Sequence, residues 1–255
     1  MRALTVPLIL VIAALTGCPP SDPDPADPAD LPCDADEAVV ELVTEDDVTL
    51  AADYQPAATQ NRGAVVLVHM IPPSNDRTGY PARVRDAIQA LDLSVLNVDR
   101  RGAGDSGGSA IDAYEDDGGR LDVEAAVRFL LDDAVPCAVD GEAIALVGAS
   151  NGTTSVMDYT AEHAADLPDP ASLTWMSPGS YTENQNAISD HRGTLEALPM
   201  LWLFPTTEPY SNGFIDDRGD DWEFVERGDQ HGTRMFDGGD LEDRTLDVLL
   251  EHLGG

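Results

Sequence analysis

The sequence predicts an α/β fold, a mostly parallel sheet of about eight strands with helices on both faces. Three observations carry this. Runs such as "AVVLV" (64–68) and "IALVGA" (144–149) are continuously apolar, as strands buried on both faces must be. They alternate with stretches of helical periodicity, which implies parallel strands joined by crossover helices. The 255 residues, 42% of them hydrophobic, suffice for one sizeable core.

Each element follows in order. "AVVELVT" and "VTLAADY" flank the acidic Glu45-Asp46-Asp47 and predict an antiparallel hairpin. "GAVVLVHM" (63–70) is the first buried strand. "YPARVRDAIQALD" has helical spacing, with Val84, Ile88 and Leu91 on one face. "LSVLNVD" is a second buried strand. "LDVEAAVRFLLDD" predicts a helix with Val123, Ala126, Phe129 and Leu130 inward. "AIALVGA", "ASLTWMS", "LPMLWLF" and "WEFVERG" are four more strands, and "LEDRTLDVLLEHL" is a closing amphipathic helix. A helix starting at about Asn151 follows "AIALVGA". No internal repeat or second domain is visible. The twenty residues between "ASLTWMS" and "LPMLWLF" (178–197) are too few for a large lid domain.

The first 35 residues read differently. "MRALTVPLILVIAALTGC" joins one Arg to an apolar run and then small residues, the pattern of a signal peptide over 1–17. That run is too short for a permanent membrane span. Leu15-Thr16-Gly17-Cys18 resembles a bacterial lipobox, in which Cys18 is lipidated; ordinary signal cleavage nearby is the alternative. "PPSDPDPADPADLP" follows, its prolines favouring extended chain and its Asp residues keeping it solvated. Residues 18–35 are therefore expected to tether a lipid anchor to a domain over 36–255, in the bacterial cell envelope. Export leaves Cys33 and Cys137 to form a disulfide or stay as two thiols.

Charge narrows the partners. Forty-eight Asp and Glu face 14 Arg, and there is no Lys, giving −34. A surface this acidic repels nucleic acid and anionic membranes, so neither is an expected partner, and membrane contact is expected only through the anchor. Substrates are expected to be neutral or cationic rather than strongly anionic, and the domain a monomer. The Cys residues lack metal spacing. "GAGDSGG" follows a strand but lacks the Lys of a phosphate-binding loop, so no metal and no cofactor is expected.

In such a sheet the ligand sits at the carboxyl ends of the strands. There "GASNG" (148–152) places Ser150 in a Gly-x-Ser-x-Gly turn between strand and helix, the pattern of a nucleophile elbow. A Ser in this position is alternatively a helix cap. As a nucleophile it needs a base. Of five His (69, 163, 191, 231, 252), His231 in the Gly-flanked loop "GDQHGT" is the candidate. His163 and His252 fall in helical patterns, His191 in a polar segment, and His69 at a strand end where it shapes the loop. The imidazole needs a carboxylate. Glu208 in "PTTEPYS" is the first acid after "LPMLWLF", with Asp216 and Asp217 as the alternatives.

The order Ser150, Glu208, His231, with "VVLVHM" and "DRRGAGDS" before them, resembles the α/β-hydrolase superfamily over roughly residues 37–254. The nearest look is its dienelactone-hydrolase-like and small-esterase branch. "DRRGAGDSGG" resembles the turn after the fourth strand of many members, "EPY" the segment carrying their acid, and "QHGT" that of their base. Two departures are Glu for Asp, and Met70 where many members have Gly. The resemblance implies a serine hydrolase of carboxylic esters working through an acyl-enzyme, with a Ser-His-Glu triad. It also implies an oxyanion hole from the backbone N–H of Asn151 and of Ile71 or Met70. Met70, Met157, Tyr181 and Tyr210 are candidate pocket-lining residues, or core. A silent envelope-binding lipoprotein of this fold and a hydrolase of amide or peptide bonds are the alternatives.

Overall fold

The computed structural model describes residues 36–58, 61–135, 137, 139, 141–178, 188–208, 221–237 and 240–255. Strands β1 (Ala38–Val43) and β2 (Thr49–Gln55) form the expected antiparallel hairpin, with Leu42 opposite Leu50. Its turn is closed by Thr44, whose hydroxyl accepts from the Val48 N–H at 2.9 Å, and by Asp47 at φ 62°. Six further strands follow: β3 (Ala64–Val68), β4 (Ser94–Val98), β5 (Ile144–Ala149), β6 (Ser172–Met176), β7 (Met200–Phe204) and β8 (Trp222–Glu226). All eight form one sheet in the order β1-β2-β4-β3-β5-β6-β7-β8. From β4 through β8 every pairing is parallel, while β2 joins β4 antiparallel.

Burial explains why the parallel strands are apolar throughout. Along β3, Ala64, Val66 and Val68 face a core built with α3 (Gly118–Leu130) and α4 (Gly152–Glu162). Val65 and Leu67 face the opposite core, built with α1 (Ala82–Gln89) and the closing helix α6 (Asp240–Gly254). Val84 and Ile88 of α1 are buried as the spacing requires; Leu91 lies past the helix end and packs at the margin. In α3, Val123, Ala126 and Leu130 are buried and Phe129 packs edge-on to Tyr54 at 5.2 Å. Around β7, Trp202 meets Trp175 at 4.9 Å, Trp222 at 5.7 Å and Phe224 at 4.9 Å between ring centres.

Two helices were not expected. The four-residue α2 (Asp112–Glu115) precedes α3. Within the connection before β7 lies α5 (Ile188–Leu195). Its sequence is mostly polar, and only Ile188 and Leu195, two turns apart, reach the core. His191, read as part of a polar segment, sits at a kink in that helix. Cys137 is disulfide-bonded. Cys33, Cys18 and the tether lie outside the described residues.

Candidate active site

β3 and β5 are adjacent at the centre of the sheet, and the chain leaves them in loops at the same end. Between β5 and α4 the backbone turns on Ser150, which takes φ 51°, a left-handed conformation that costs a non-glycine residue on the order of 1 kcal/mol. The strain is held by its N–H, which donates to the Met176 carbonyl at 2.7 Å. Glycines make the turn passable. A Cβ on Gly148 would stand 2.7 Å from the Gly152 carbonyl oxygen, and one on Gly152 2.4 Å from that of Val68. α4 begins at Gly152 with Asn151 as its N-cap, one residue later than expected. Ser150 therefore immediately precedes the N-cap of α4, the end at which the helix dipole is positive.

The structure brings His231 and Glu208 to this serine. Nε2 of His231 lies 2.7 Å from Ser150 Oγ, and Nδ1 hydrogen-bonds Glu208 Oε1. With Glu208 ionised, Nδ1–H donates to the carboxylate and Nε2 accepts from the hydroxyl, the arrangement a general base needs. Glu208 is buried while the imidazole is a third exposed, so the base faces solvent and its carboxylate does not. The loops carrying the two are stitched together. Thr206 donates from its N–H to the Gly228 carbonyl at 3.0 Å, and Thr207 from its hydroxyl to that of Asp229 at 3.4 Å. Asp216 and Asp217, the alternative acids, lie outside the described residues, as do Tyr181 and Tyr210.

One residue of this site carries only a weak sequence signal. Ser177, just past β6, also takes a left-handed φ of 50°, and its hydroxyl accepts from the Gly232 N–H at 2.8 Å. That bond fixes the residue following His231. A polar residue at a strand's carboxyl end is the one hint available, and the sequence holds several.

The "DRR" after β4 divides its work. Asp99, fully buried, accepts from the Arg77 and Asp105 N–H groups at 2.7 and 2.9 Å and pairs with the Arg77 side chain. Arg77 also reaches Asp53 at 2.9 Å, so the loop after β3 is bolted to β2 and β4. Arg101 turns to Asp122 of α3 and to Asp46 of the hairpin. Arg100 turns back to residues 69 and 70.

Met70, where the resemblance leads one to expect glycine, has no positive φ and so bears no backbone cost for its side chain. Its side chain is buried over the site; a Cβ on Gly232 would meet Met70 Sδ at 2.6 Å. Met70 also lines a polar cleft of about 250 Å³, together with Asn75, Asp76, Thr78, Arg234 and Asp237. Ile71 is exposed beside it. Met157, by contrast, belongs to the core under α4. His163 ends α4 and bonds Asp169, and His252 of α6 reaches the Leu173 carbonyl; neither approaches Ser150 by any bond.

His69 is wholly buried. Burial, with the Arg100 charge adding to it, pushes its imidazole down to about 3. An unfolded chain protonates this group near 6.5, so the neutral form's contribution to stability is complete above that pH and is lost as pH falls from 6.5 towards 3. Replacing His69 with Asn removes this dependence. The stability difference between wild type and His69→Asn, from urea unfolding at pH 7, 5.5 and 4, is expected to change progressively in the variant's favour on acidification.

Fold and site together define a protein of the α/β-hydrolase fold that presents a Ser-His-Glu constellation at the carboxyl ends of its strands. Among solved structures, an esterase of Pyrococcus furiosus superposes with a TM-score of 0.64 at 18% identity, over 92% of this chain and 96% of its own. A dienelactone hydrolase from Anabaena variabilis does so with 0.59 at 13% identity, over 84% and 95%. An esterase from Exiguobacterium antarcticum gives 0.60 at 10% identity, over 86% and 100%. No protein-family model and no curated protein sequence matches the chain.

Proposed function

We propose that this chain is a serine hydrolase of small carboxylic esters, acting through an acyl-enzyme. The observation that carries the proposal is the Ser150 hydroxyl, raised on a left-handed turn, 2.7 Å from an imidazole nitrogen whose other nitrogen meets a buried carboxylate. Ser150 Oγ attacks the ester carbonyl as its proton passes to His231 Nε2. Glu208 holds the imidazole and stabilises its charged form. The N–H groups of Asn151 and of Ile71 or Met70 receive the developing oxyanion, each donor contributing about 3 kcal/mol in such sites. Collapse expels the alcohol with the His231 proton. Water, deprotonated by His231, then attacks the acyl carbonyl, and the acid leaves as Ser150 recovers its proton. The esterase and dienelactone hydrolase neighbours support the same reaction class.

The polar cleft beside Met70 suits a hydrophilic substrate portion, and with two carboxylates against one guanidinium it favours neutral or cationic groups. We place the enzyme in the bacterial cell envelope, as a monomer held by a lipid on Cys18, without nucleic acid or other membrane contact.

The test is a fluorophosphonate probe on the full chain, with the adduct mapped by mass spectrometry. Labelling at Ser150 that slows in His231→Ala supports the proposal; a folded protein that is not labelled rejects it in favour of a binding role. Glu208→Gln is expected to lower kcat for p-nitrophenyl acetate by about 10⁴-fold, since the amide reverses the tautomer. The Asn variants of Asp216 and Asp217 should leave it unchanged; a large loss there would reassign the acid.

A further inference from the structure

The polar cleft that Met70 lines begins beside the nucleophile. A Cβ on Gly232 would lie 2.6 Å from Met70 Sδ and 3.7 Å from Ser150 Cβ, so the two residues flank one point. One wall of the cleft is the loop after β3, residues 74–76 and 78–79. The other is Thr233, Arg234 and Asp237, in the stretch of chain that continues from His231. These side chains have bonding capacity to spare. Asp76 Oδ1 accepts from the Thr78 N–H at 2.9 Å and from the Thr78 hydroxyl, while its Oδ2 accepts nothing among the described residues. The Thr78 bonds hold the Asp76 carboxyl below the usual carboxylate range, so it stays ionised at neutral pH. Asn75 donates from Nδ2 to the Ile71 carbonyl at 2.8 Å, which leaves its Oδ1. The Thr233 hydroxyl and the Arg234 and Asp237 side chains make no hydrogen bond or ion pair among the described residues. Arg77, Arg85 and Arg101 each hold two carboxylates or more; Arg234 holds none, although Asp237 shares its cleft.

Chemistry sorts what can enter. A hydrocarbon chain would strip water from Asp76, Arg234 and Asp237 and return no hydrogen bond. An anion meets both carboxylates. A quaternary ammonium meets the Arg234 guanidinium and finds no aromatic face among the described lining residues. A neutral polyol meets none of these costs. Each of its hydroxyls both donates and accepts, so it serves the carboxylates and Asn75 Oδ1 as donor and Arg234 as acceptor. The volume of about 250 Å³ lies under the roughly 300–1,000 Å³ of pockets for drug-sized ligands, which suits glycerol or one sugar ring. Position assigns the side of the ester. His231 returns its proton to the leaving oxygen, and one wall of the cleft is the chain that continues from His231. We infer that the cleft holds the alcohol portion of the substrate, and that this alcohol is a neutral polyol, glycerol or a single sugar, selected by Asp76, Arg234 and Asp237. The inference rests on the ester hydrolase reading above and narrows its substrates from neutral or cationic to neutral and polyhydroxylated.

The experiment uses the full chain and three acetates: glycerol 1-acetate, n-propyl acetate and acetylcholine. Each ester and water give the alcohol and acetate. Acetate release yields kcat/KM, and each value is divided by that ester's rate with hydroxide, which cancels intrinsic reactivity. Glycerol 1-acetate is expected to lead the other two by about tenfold or more, a modest margin because Arg234 and Asp237 are exposed to competing water. The double variant Arg234→Ala with Asp237→Ala is expected to cut that lead to within about threefold. Both side chains are exposed, so the variant keeps its fold. Equal rates, a lead for the propyl or choline ester, or a glycerol lead that the double variant leaves intact overturns the inference while the hydrolase reading stands. So does turnover of none of the three by protein that a fluorophosphonate labels at Ser150. Folded protein that is neither labelled nor active overturns both.

Discussion

Ser150→Ala is expected to lower kcat for p-nitrophenyl acetate by about 10⁵- to 10⁶-fold, with the melting temperature unchanged or raised. The hydroxyl is the only atom lost, and it is the atom 2.7 Å from His231. On the proposed mechanism its removal leaves ester binding and the oxyanion donors in place, so a residual rate above that of water is expected. His231→Ala should cost nearly as much, and the double variant little more than either, because nucleophile and base act as one unit. Additive losses would mean that the two side chains work separately and that the bond between them is incidental. The melting measurement separates chemistry from fold. Alanine at a left-handed φ of 51° is about as strained as serine, so no stability should be lost at the turn.

Asp122→Ala is expected to destabilise the protein by about 3–5 kcal/mol, read as a fall in the urea midpoint at unchanged m-value. Asp122 and Arg101 each expose 2% of their side chains. Asp122 accepts from Arg101 Nε at 2.8 Å and from its backbone N–H at 2.9 Å. Truncating the acid strands a guanidinium that burial denies to water, and Asp46 at the rim of the hairpin is left as its one charged partner among the described residues. The double change Arg101→Met with Asp122→Leu should recover most of the loss, since two apolar side chains remove both the charge and its need for a partner. The Arg128–Asp166 pair is the contrast. Its side chains are 43% and 66% exposed, and Asp166→Ala should leave the midpoint where it was.

How much was legible in the sequence depended on how local the cause was. The central strands β3 to β7 were readable because burial on both faces demands nearly continuous apolar runs, the hairpin because acidic residues mark its turn, and the loops of Ser150 and Glu208 because each follows such a run within a few residues. Helix α5 was not, since only Ile188 and Leu195 mark its buried face. The buried contacts of His69 and Arg100 were hidden for another reason. A histidine and an arginine 31 residues apart show nothing in sequence of their meeting beneath a backbone carbonyl, and the default for arginine is solvent. Ser177 was one polar residue among several at strand ends; only the packing of β6 beside β7 and β5 shows that its hydroxyl meets the loop of His231.

All three tryptophans of the chain sit on β6, β7 and β8, within one aromatic stack around Trp202. Intrinsic fluorescence is therefore a local signal. It reports the wall of the molecule that holds Glu208 and the approach to His231, and it is blind to the β1–β2 hairpin at the opposite edge. An opening of the hairpin edge ahead of the rest, the event that Asp122→Ala should favour, would pass unseen in tryptophan emission while far-ultraviolet circular dichroism already registered lost strand. Agreement between the two transitions in the wild type, and their separation in that variant, would show that a single sheet unfolds from one side.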